Sequence, residues 1–385
     1  MRKMSTTINH LATLSQTLKS SAPGAGSGRL QRLDAFGPNP GALNGWFHYP
    51  AGLAPGAPLV VVLHGCTQTA AGYDHGSGWS ELADRHGFAV LFPEQTRANN
   101  PNLCFNWFTP EDNRRGAGEP ASIHQMIETM IQRHRCDPAR VHITGLSAGG
   151  AMTSIMLATY PDVFAAGAII AGLAYGNAHG VPQALERMRG QGGAKGGELA
   201  RLIPAPPPAH DGWPAVSIWH GTADSTVALS NAADILDQWR GIHRLSERPD
   251  VIDRIDGHPH RAWLDRDGRP VIEEFIIDGM GHGTPLDAAA GVGGGKPGPH
   301  MLDVGISSTN RLAEMWGLAT PAAPAATTES AAREITANVP ALRPALQPVH
   351  ATRQPAAPDA PASPGSPGYV GEVIEKALRA AGLMR

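Results

Sequence analysis

Cysteine is scarce in this chain. Three in 385 residues are too few for a dense disulfide scaffold. Aromatic residues make up only 5%. A basic excess is missing too: the formal net charge is −3, which argues against a nucleic-acid binder, since such proteins carry a clear surplus of Lys and Arg. Long apolar runs are absent. The stretches 59–63 and 164–171 fall far short of the roughly 20 residues a spanning helix needs, so no transmembrane segment is expected. Arg2 and Lys3 give a charged start, but Asn9, His10, Thr13, Ser15, Gln16 and Thr17 interrupt the apolar core that a signal peptide places after it. Ile8, Leu11, Leu14 and Leu18 fall instead on one face of a short helix. A cytoplasmic location is the expectation from these residues.

What is present is enough for a sizeable core. Apolar residues are 42% and charged residues 17%, a balance unlike that of a disordered chain. Gly 46 and Pro 34 predict many loops and at least one low-complexity stretch. That stretch is 319–368, with 10 Pro and 15 Ala, read as a disordered linker. Beyond it, Val370, Val373, Ile374, Ala377, Leu378 and Ala381 recur at helical spacing, so 369–385 reads as an amphipathic docking helix on a tether. It would pack on its own domain, bind a granule surface or partner, or self-associate. Residues 1–28 read as a leader and 29–318 as the globular body. Within the body, strands at 59–63, 88–92, 141–144, 165–170, 215–219 and 271–277 alternate with helices at 80–86, 123–134, 148–160 and 228–239. This predicts an α/β fold with a mostly parallel sheet and helices on both faces. The Gly- and Pro-rich stretch 186–214 reads as a surface insertion and mobile flap.

In such sheets the chemistry sits at the carboxyl ends of the strands. Gly145-Leu146-Ser147-Ala148-Gly149 follows the strand 141–144 and precedes a helix. That context makes Ser147 a candidate nucleophile on a tight strand-to-helix turn. A serine needs a base, and the base needs an orienting acid. Asp224 lies just past the strand 215–219, and His282 lies on a Gly-rich loop just past 271–277. The order Ser, Asp, His is the one expected of this architecture. His258 and His260 are read as lying in a polar loop at the wrong end of the last strand. His300 could line the site, and Asp278 could cap a turn. An oxyanion needs two N–H donors. They are assigned to Ala148, after the nucleophile, and to Cys66 in His64-Gly65-Cys66-Thr67-Gln68 after the strand 59–63. No Cys/His set has zinc-ligand spacing and no Gly-rich phosphate loop occurs, so neither a metal nor another cofactor is expected.

With Cys104-Phe105-Asn106-Trp107-Phe108, Gly221-Thr222-Ala223-Asp224 and Gly279-Met280-Gly281-His282 added, the body resembles the poly(3-hydroxybutyrate) depolymerase-type esterases, relatives of feruloyl and acetylxylan esterases in the α/β-hydrolase fold. The resemblance implies a serine ester hydrolase working through an acyl-enzyme on 3-hydroxyalkanoate esters or oligomers, or on aryl or acetyl esters of plant polysaccharide. It gives Ser147, Asp224 and His282 the triad roles and Cys66 an oxyanion role. It places Trp107 near the acyl-binding cleft, with Gln68 and Asn106 as further substrate-binding candidates. Cys66 and Cys104 both stand in its motifs, which leaves open a disulfide between them or two buried thiols. Three features depart from the family: no signal peptide, no substrate-binding domain, and Gly-Thr-Pro after His282 where Ala-Trp-Pro is common. Many relatives are secreted, which is the alternative to a cytoplasmic location. A different class of reading makes the body a scaffold and the C-terminal helix the working part, and an acyltransferase on the same fold is a third.

Overall fold

The computed structural model describes residues 28–207 and 212–319. The expected leader helix, the Pro/Ala linker and the 369–385 helix lie outside the described residues. Six parallel strands form the centre of a ten-stranded sheet: β3 (Leu59–Leu63), β4 (Ala89–Glu94), β5 (Val141–Leu146), β6 (Ala166–Ile170), β7 (Ala215–Gly221) and β10 (Pro270–Ile277). Antiparallel strands extend both edges: β1 (Gln31–Leu33) and β2 (Asn44–His48) on one side, β8 (Val251–Ile255) and β9 (His258–Leu264) on the other. The order is β1-β2-β4-β3-β5-β6-β7-β10-β9-β8.

The strand β3 shows why the centre reads as unbroken apolar runs. Leu59, Val61 and Leu63 join the core on one face, while Val60 and Val62 join the core on the other. Successive strand side chains point to opposite faces, and helices cover both. On the first face lie α3 (Gly118–His134), α4 (Ala148–Thr159) and α7 (Ser230–His243). On the second lie α1 (Ala70–Ser77), α2 (Trp79–His86) and α8 (Ser308–Met315). From β3 the chain crosses to β4 on one side, and from β5 to β6 on the other. The carboxyl ends of β3 and β5 therefore open a crevice, the place where open α/β sheets bind ligands.

Two expectations need correction. His258 and His260 lie in β9, not in a polar loop. Asp256 (φ 48°) and Gly257 (φ 82°) make the tight turn that joins β8 to β9, the two-residue hairpin connection that Asp-Gly favours. His260 is held between Asp253 (2.7 Å) and Glu273 (3.2 Å), and the His258 ring meets the Val304 carbonyl (2.9 Å). Both are structural. The second correction concerns 186–214, which is not a free flap where it is described. It contains the end of α5 (Val181–Met188) and the short α6 (Gly197–Ala200). Leu199 is fully buried, and its carbonyl accepts from Gln238 on α7 (2.9 Å). Apolar anchoring of this kind fixes a segment that composition alone marks as loop.

Candidate active site

Ser147 sits where β5 meets α4, with φ 58° and ψ −117°. A non-glycine residue adopts such a conformation only where its surroundings force it. Here its N–H donates to Ile170 O (2.9 Å) and its carbonyl accepts from Ala151 (2.8 Å). The turn also demands small neighbours. A Cβ on Gly149 would collide with the carbonyl oxygens of Leu63 and His64, and one on Gly145 would collide with the Gly149 carbonyl. Close backbone approach, rather than flexibility, explains both glycines.

Asp224 and His282 follow β7 and β10, two adjacent parallel strands. Their loops are stitched together: Thr222 N–H donates to Ile277 O (3.0 Å) and Ala223 N–H to Met280 O (3.0 Å). The Asp224 carboxylate is buried. Its Oδ1 accepts the N–H groups of Thr226 (2.9 Å) and Val227 (2.8 Å), and its Oδ2 accepts from His282 Nδ1 (2.7 Å). Burial alone would raise this carboxyl, but the His282 bond and the Val227 N–H outweigh it and hold it below the usual carboxylate range. With Nδ1 committed as donor, His282 keeps Nε2 free to accept a proton.

Two further histidines brace this pair. His220 is fully buried, with Nε2 at 2.8 Å from Val227 O and 3.5 Å from Asp224 Oδ2. Burial keeps its pKa low, so it packs neutral beneath the acid. His300 contacts the His282 backbone carbonyl through Nδ1 (3.1 Å), and the two rings meet edge to face at 5.8 Å. The strand signal near His300 was too short to see: β12 (Met301–Asp303) begins just after it and pairs with β11 (Thr284–Leu286), just after His282.

At the end of β3, backbone accounting singles out one donor. Gly65 N–H is taken by Gln68 Oε1 (2.8 Å), Thr67 N–H by Asn102 O (2.7 Å) and Gln68 N–H by Gly65 O (3.3 Å). Among the described residues, no protein acceptor faces the Cys66 N–H. Ala148 is the first residue of α4, so its N–H has no partner within that helix. The buried His64 shapes the turn, with Nδ1 on Gly65 O (2.7 Å) and Nε2 accepting from Gln95 N–H (3.1 Å). Gln68, expected to touch substrate, spends its side-chain oxygen on this turn instead.

Cys66 and Cys104 are joined in a disulfide, which ties the β3 loop to the segment 95–113. That segment hangs on Glu119, a fully buried carboxyl in the first turn of α3. Glu119 accepts from Gln95 Nε2 (2.6 Å), Asn106 Nδ2 (2.8 Å) and Asn106 N–H (2.8 Å). Asn106 Oδ1 is taken by Asn100 (2.8 Å), so its amide is fully committed within the protein. Trp107 and Asn106 both line a cavity of about 510 Å³ that reaches Cys66. Nothing in the sequence flags Glu119, which reads there as an ordinary helix acid.

Two stability effects follow. Burial, with the negative Asp112 nearby, pushes Glu119 up to about 8 against its N–H donors. A folded pKa above the unfolded value means stability present below about pH 4.5 and lost as pH rises through about 8. Urea midpoints should therefore fall between pH 5 and 8 in the wild type, and Glu119→Gln should flatten that slope; parallel slopes would refute the assignment. Opening the 38-residue Cys66–Cys104 loop should cost about 4 kcal/mol on the chain-entropy estimate. Denaturant unfolding of Cys104→Ala beside the wild type, both without reductant, reads this, and equal stabilities would contradict it.

Among the described residues, no group of three His, Cys, Asp or Glu is arranged to hold a metal, and no helix is long and apolar enough to cross a membrane. The family described as "Esterase PHB depolymerase" matches residues 46–248. The chain is 44% identical over 297 residues to poly(3-hydroxyalkanoate) depolymerase C of Paucimonas lemoignei, which covers 75% of this chain and 70% of that protein. It is 32% identical over 274 residues to an acetylxylan esterase of Coprinopsis cinerea, covering 69% of this chain and 71% of that one. The fold matches that of an acetyl xylan esterase from Aspergillus awamori, with TM-score 0.63, 24% identity and coverage of 76% of this chain and all of the other.

Proposed function

The chain belongs to the PHB depolymerase esterase family and is a carboxylic ester hydrolase of α/β-hydrolase fold, and from that premise we propose that Ser147, His282 and Asp224 carry its chemistry on 3-hydroxyalkanoate esters. The observation that bears most weight is the Asp224–His282 hydrogen bond after β7 and β10, at the same carboxyl edge of the parallel sheet as the strained Ser147 turn after β5. Ser147 Oγ attacks the acyl carbonyl carbon and its proton passes to His282 Nε2. Asp224 stabilises the imidazolium and holds its tautomer. The carbonyl oxygen, now negative, is held by the N–H groups of Cys66 and Ala148. Collapse breaks the ester C–O bond, and the leaving alkoxide takes the proton from His282. Water then attacks the acyl-serine by the same route, releasing the acid.

The hydroxyalkanoate assignment follows the 44% relative. Its test is hydrolysis of a 3-hydroxybutyrate trimer beside acetyl and feruloyl sugar esters. Preference for the trimer is the expected outcome; turnover of sugar esters alone would move the substrate to the plant-polysaccharide class. Transfer of the acyl group to an added alcohol in preference to water would make the enzyme a transferase. Tethering to a granule or a second copy through 369–385 is a separate proposal. Removing 319–385 should abolish sedimentation with polyhydroxybutyrate granules while soluble-ester hydrolysis continues; unchanged sedimentation would reject it.

A further inference from the structure

Among the described residues no acceptor faces the Cys66 N–H, so its place depends on what grips the residues around it. Three grips meet there. Before it, the Gly65 carbonyl contacts His64 Nδ1 (2.7 Å), and His64 Nε2 accepts from Gln95 N–H (3.1 Å). After it, Thr67 N–H donates to Asn102 O (2.7 Å), and Asn102 N–H donates to Asn100 Oδ1 (2.9 Å). Its own side chain is bonded to Cys104, whose carbonyl accepts from Gln95 Nε2 (2.9 Å). Two residues are left-handed at these joints: Thr67 (φ 63°) just after Cys66 and Leu103 (φ 55°) just before Cys104. Such angles persist where the surroundings dictate them. All three grips lead to one carboxyl. Glu119 Oε1 accepts from Gln95 Nε2 (2.6 Å), Asn99 Nδ2 (3.1 Å) and Asn106 Nδ2 (2.8 Å), and Oε2 accepts from Asn106 N–H (2.8 Å). Asn106 Oδ1 in turn accepts from Asn100 (2.8 Å), which closes the route to Thr67. Glu119 itself is fully buried and does not line the cavity that this segment and α5 enclose, so it does not touch substrate.

We propose that Glu119 is a positioning residue for the acyl-transfer step, holding the Cys66 N–H where the substrate carbonyl oxygen becomes negative. The inference rests on the proposed oxyanion role of Cys66 and adds the group that fixes it in place. The chemistry of the junction calls for a carboxyl. Four N–H groups converge on its two oxygens, and a carboxyl offers both oxygens as acceptors in either protonation state. An amide would turn its own N–H bonds toward at least one of these donors and leave it buried and unpaired. The loop would then relax, and Cys66 lies at the far end of every route. The oxyanion exists only after attack, so a displaced donor weakens the transition state and spares the bound ester.

The experiment compares Glu119→Gln and Asn106→Ala with the wild type after titration by a p-nitrophenyl alkylphosphonate, which counts functional serines. The readouts are kcat and KM for p-nitrophenyl butyrate and Ki for a trifluoromethyl ketone, whose hemiketal oxygen occupies the oxyanion position. In Glu119→Gln, kcat per titrated site should fall roughly 10–100-fold, the range expected when a donor is misplaced by about 1 Å rather than removed. KM should stay nearly unchanged, and Ki should rise by the factor by which kcat falls. Asn106→Ala cuts the route through Asn100 and leaves those through Gln95, so it should show a smaller loss of the same kind. A merely structural role would lower the titrated fraction or the melting temperature and leave kcat per site and Ki at wild-type values. That result overturns the inference, as does a rise in KM alone. If Glu119→Gln fails to fold, Asn106→Ala decides by the same two readouts. Failure of the acyl-transfer reading would look different: the wild type would be neither phosphonylated at Ser147 nor inhibited by the ketone.

Discussion

Ser147→Ala is expected to lower kcat by on the order of 10⁶ while leaving the fold intact. Alanine keeps a side chain of similar size at φ 58°, so the turn, its Ile170 bond and the entry to α4 are unchanged. What disappears is the Oγ proposed to form the acyl-enzyme. The two proposed N–H donors remain, so hydrolysis about 10³–10⁴ above the aqueous rate should persist. Steady-state turnover of p-nitrophenyl butyrate and the 3-hydroxybutyrate trimer reads the loss, and matching circular dichroism and melting confirm the fold. Near-wild-type turnover in purified Ser147→Ala would remove the serine mechanism altogether.

Asp224→Asn tests a subtler claim and should cost about 10⁴ in kcat. Asparagine is nearly isosteric, and its Oδ1 can still accept the N–H groups of Thr226 and Val227. Its amide nitrogen then takes the place of Oδ2 and points at His282 Nδ1. Two donors cannot share that contact, so the imidazole must put its proton on Nε2. A protonated Nε2 cannot accept from a serine. The expected signature is low kcat with little change in KM, partly relieved at high pH. A variant that keeps more than a tenth of wild-type kcat would show that Asp224 does not orient the base. Ground-state packing should hardly alter, so melting temperature separates this outcome from misfolding.

The strand ends that carry Ser147, Asp224 and His282 are readable in the sequence because each follows an apolar run and is flanked by glycine. The parallel centre is readable for the same reason, since a strand buried on both faces cannot hide its pattern. Other parts are silent for physical reasons. The β8–β9 hairpin alternates with charged residues on an exposed face, so only its Asp256-Gly257 turn betrays it. Glu119 looks like any first-turn helix acid, because its partners Gln95 and Asn106 come from elsewhere in the chain. Gln68 sits in a motif that suggests substrate contact, while its oxygen closes a backbone turn three residues away. The cavity wall α5 borders a stretch whose glycines and prolines read as loop. Composition reports flexibility, and long-range burial decides whether flexibility survives.

The left-handed backbone at Ser147 has a consequence for how such a protein evolves. Strain of that kind is worth roughly 1–3 kcal/mol, and glycine at this position would relieve it at once. A screen that rewards thermal endurance alone would therefore drift toward Ser147→Gly, a sturdier and inert protein. On the proposed mechanism, serine at this angle gives up robustness in exchange for turnover. Improving the durability of this scaffold is a task for the sheet edges and the outer helices, where endurance and activity do not compete for the same residue.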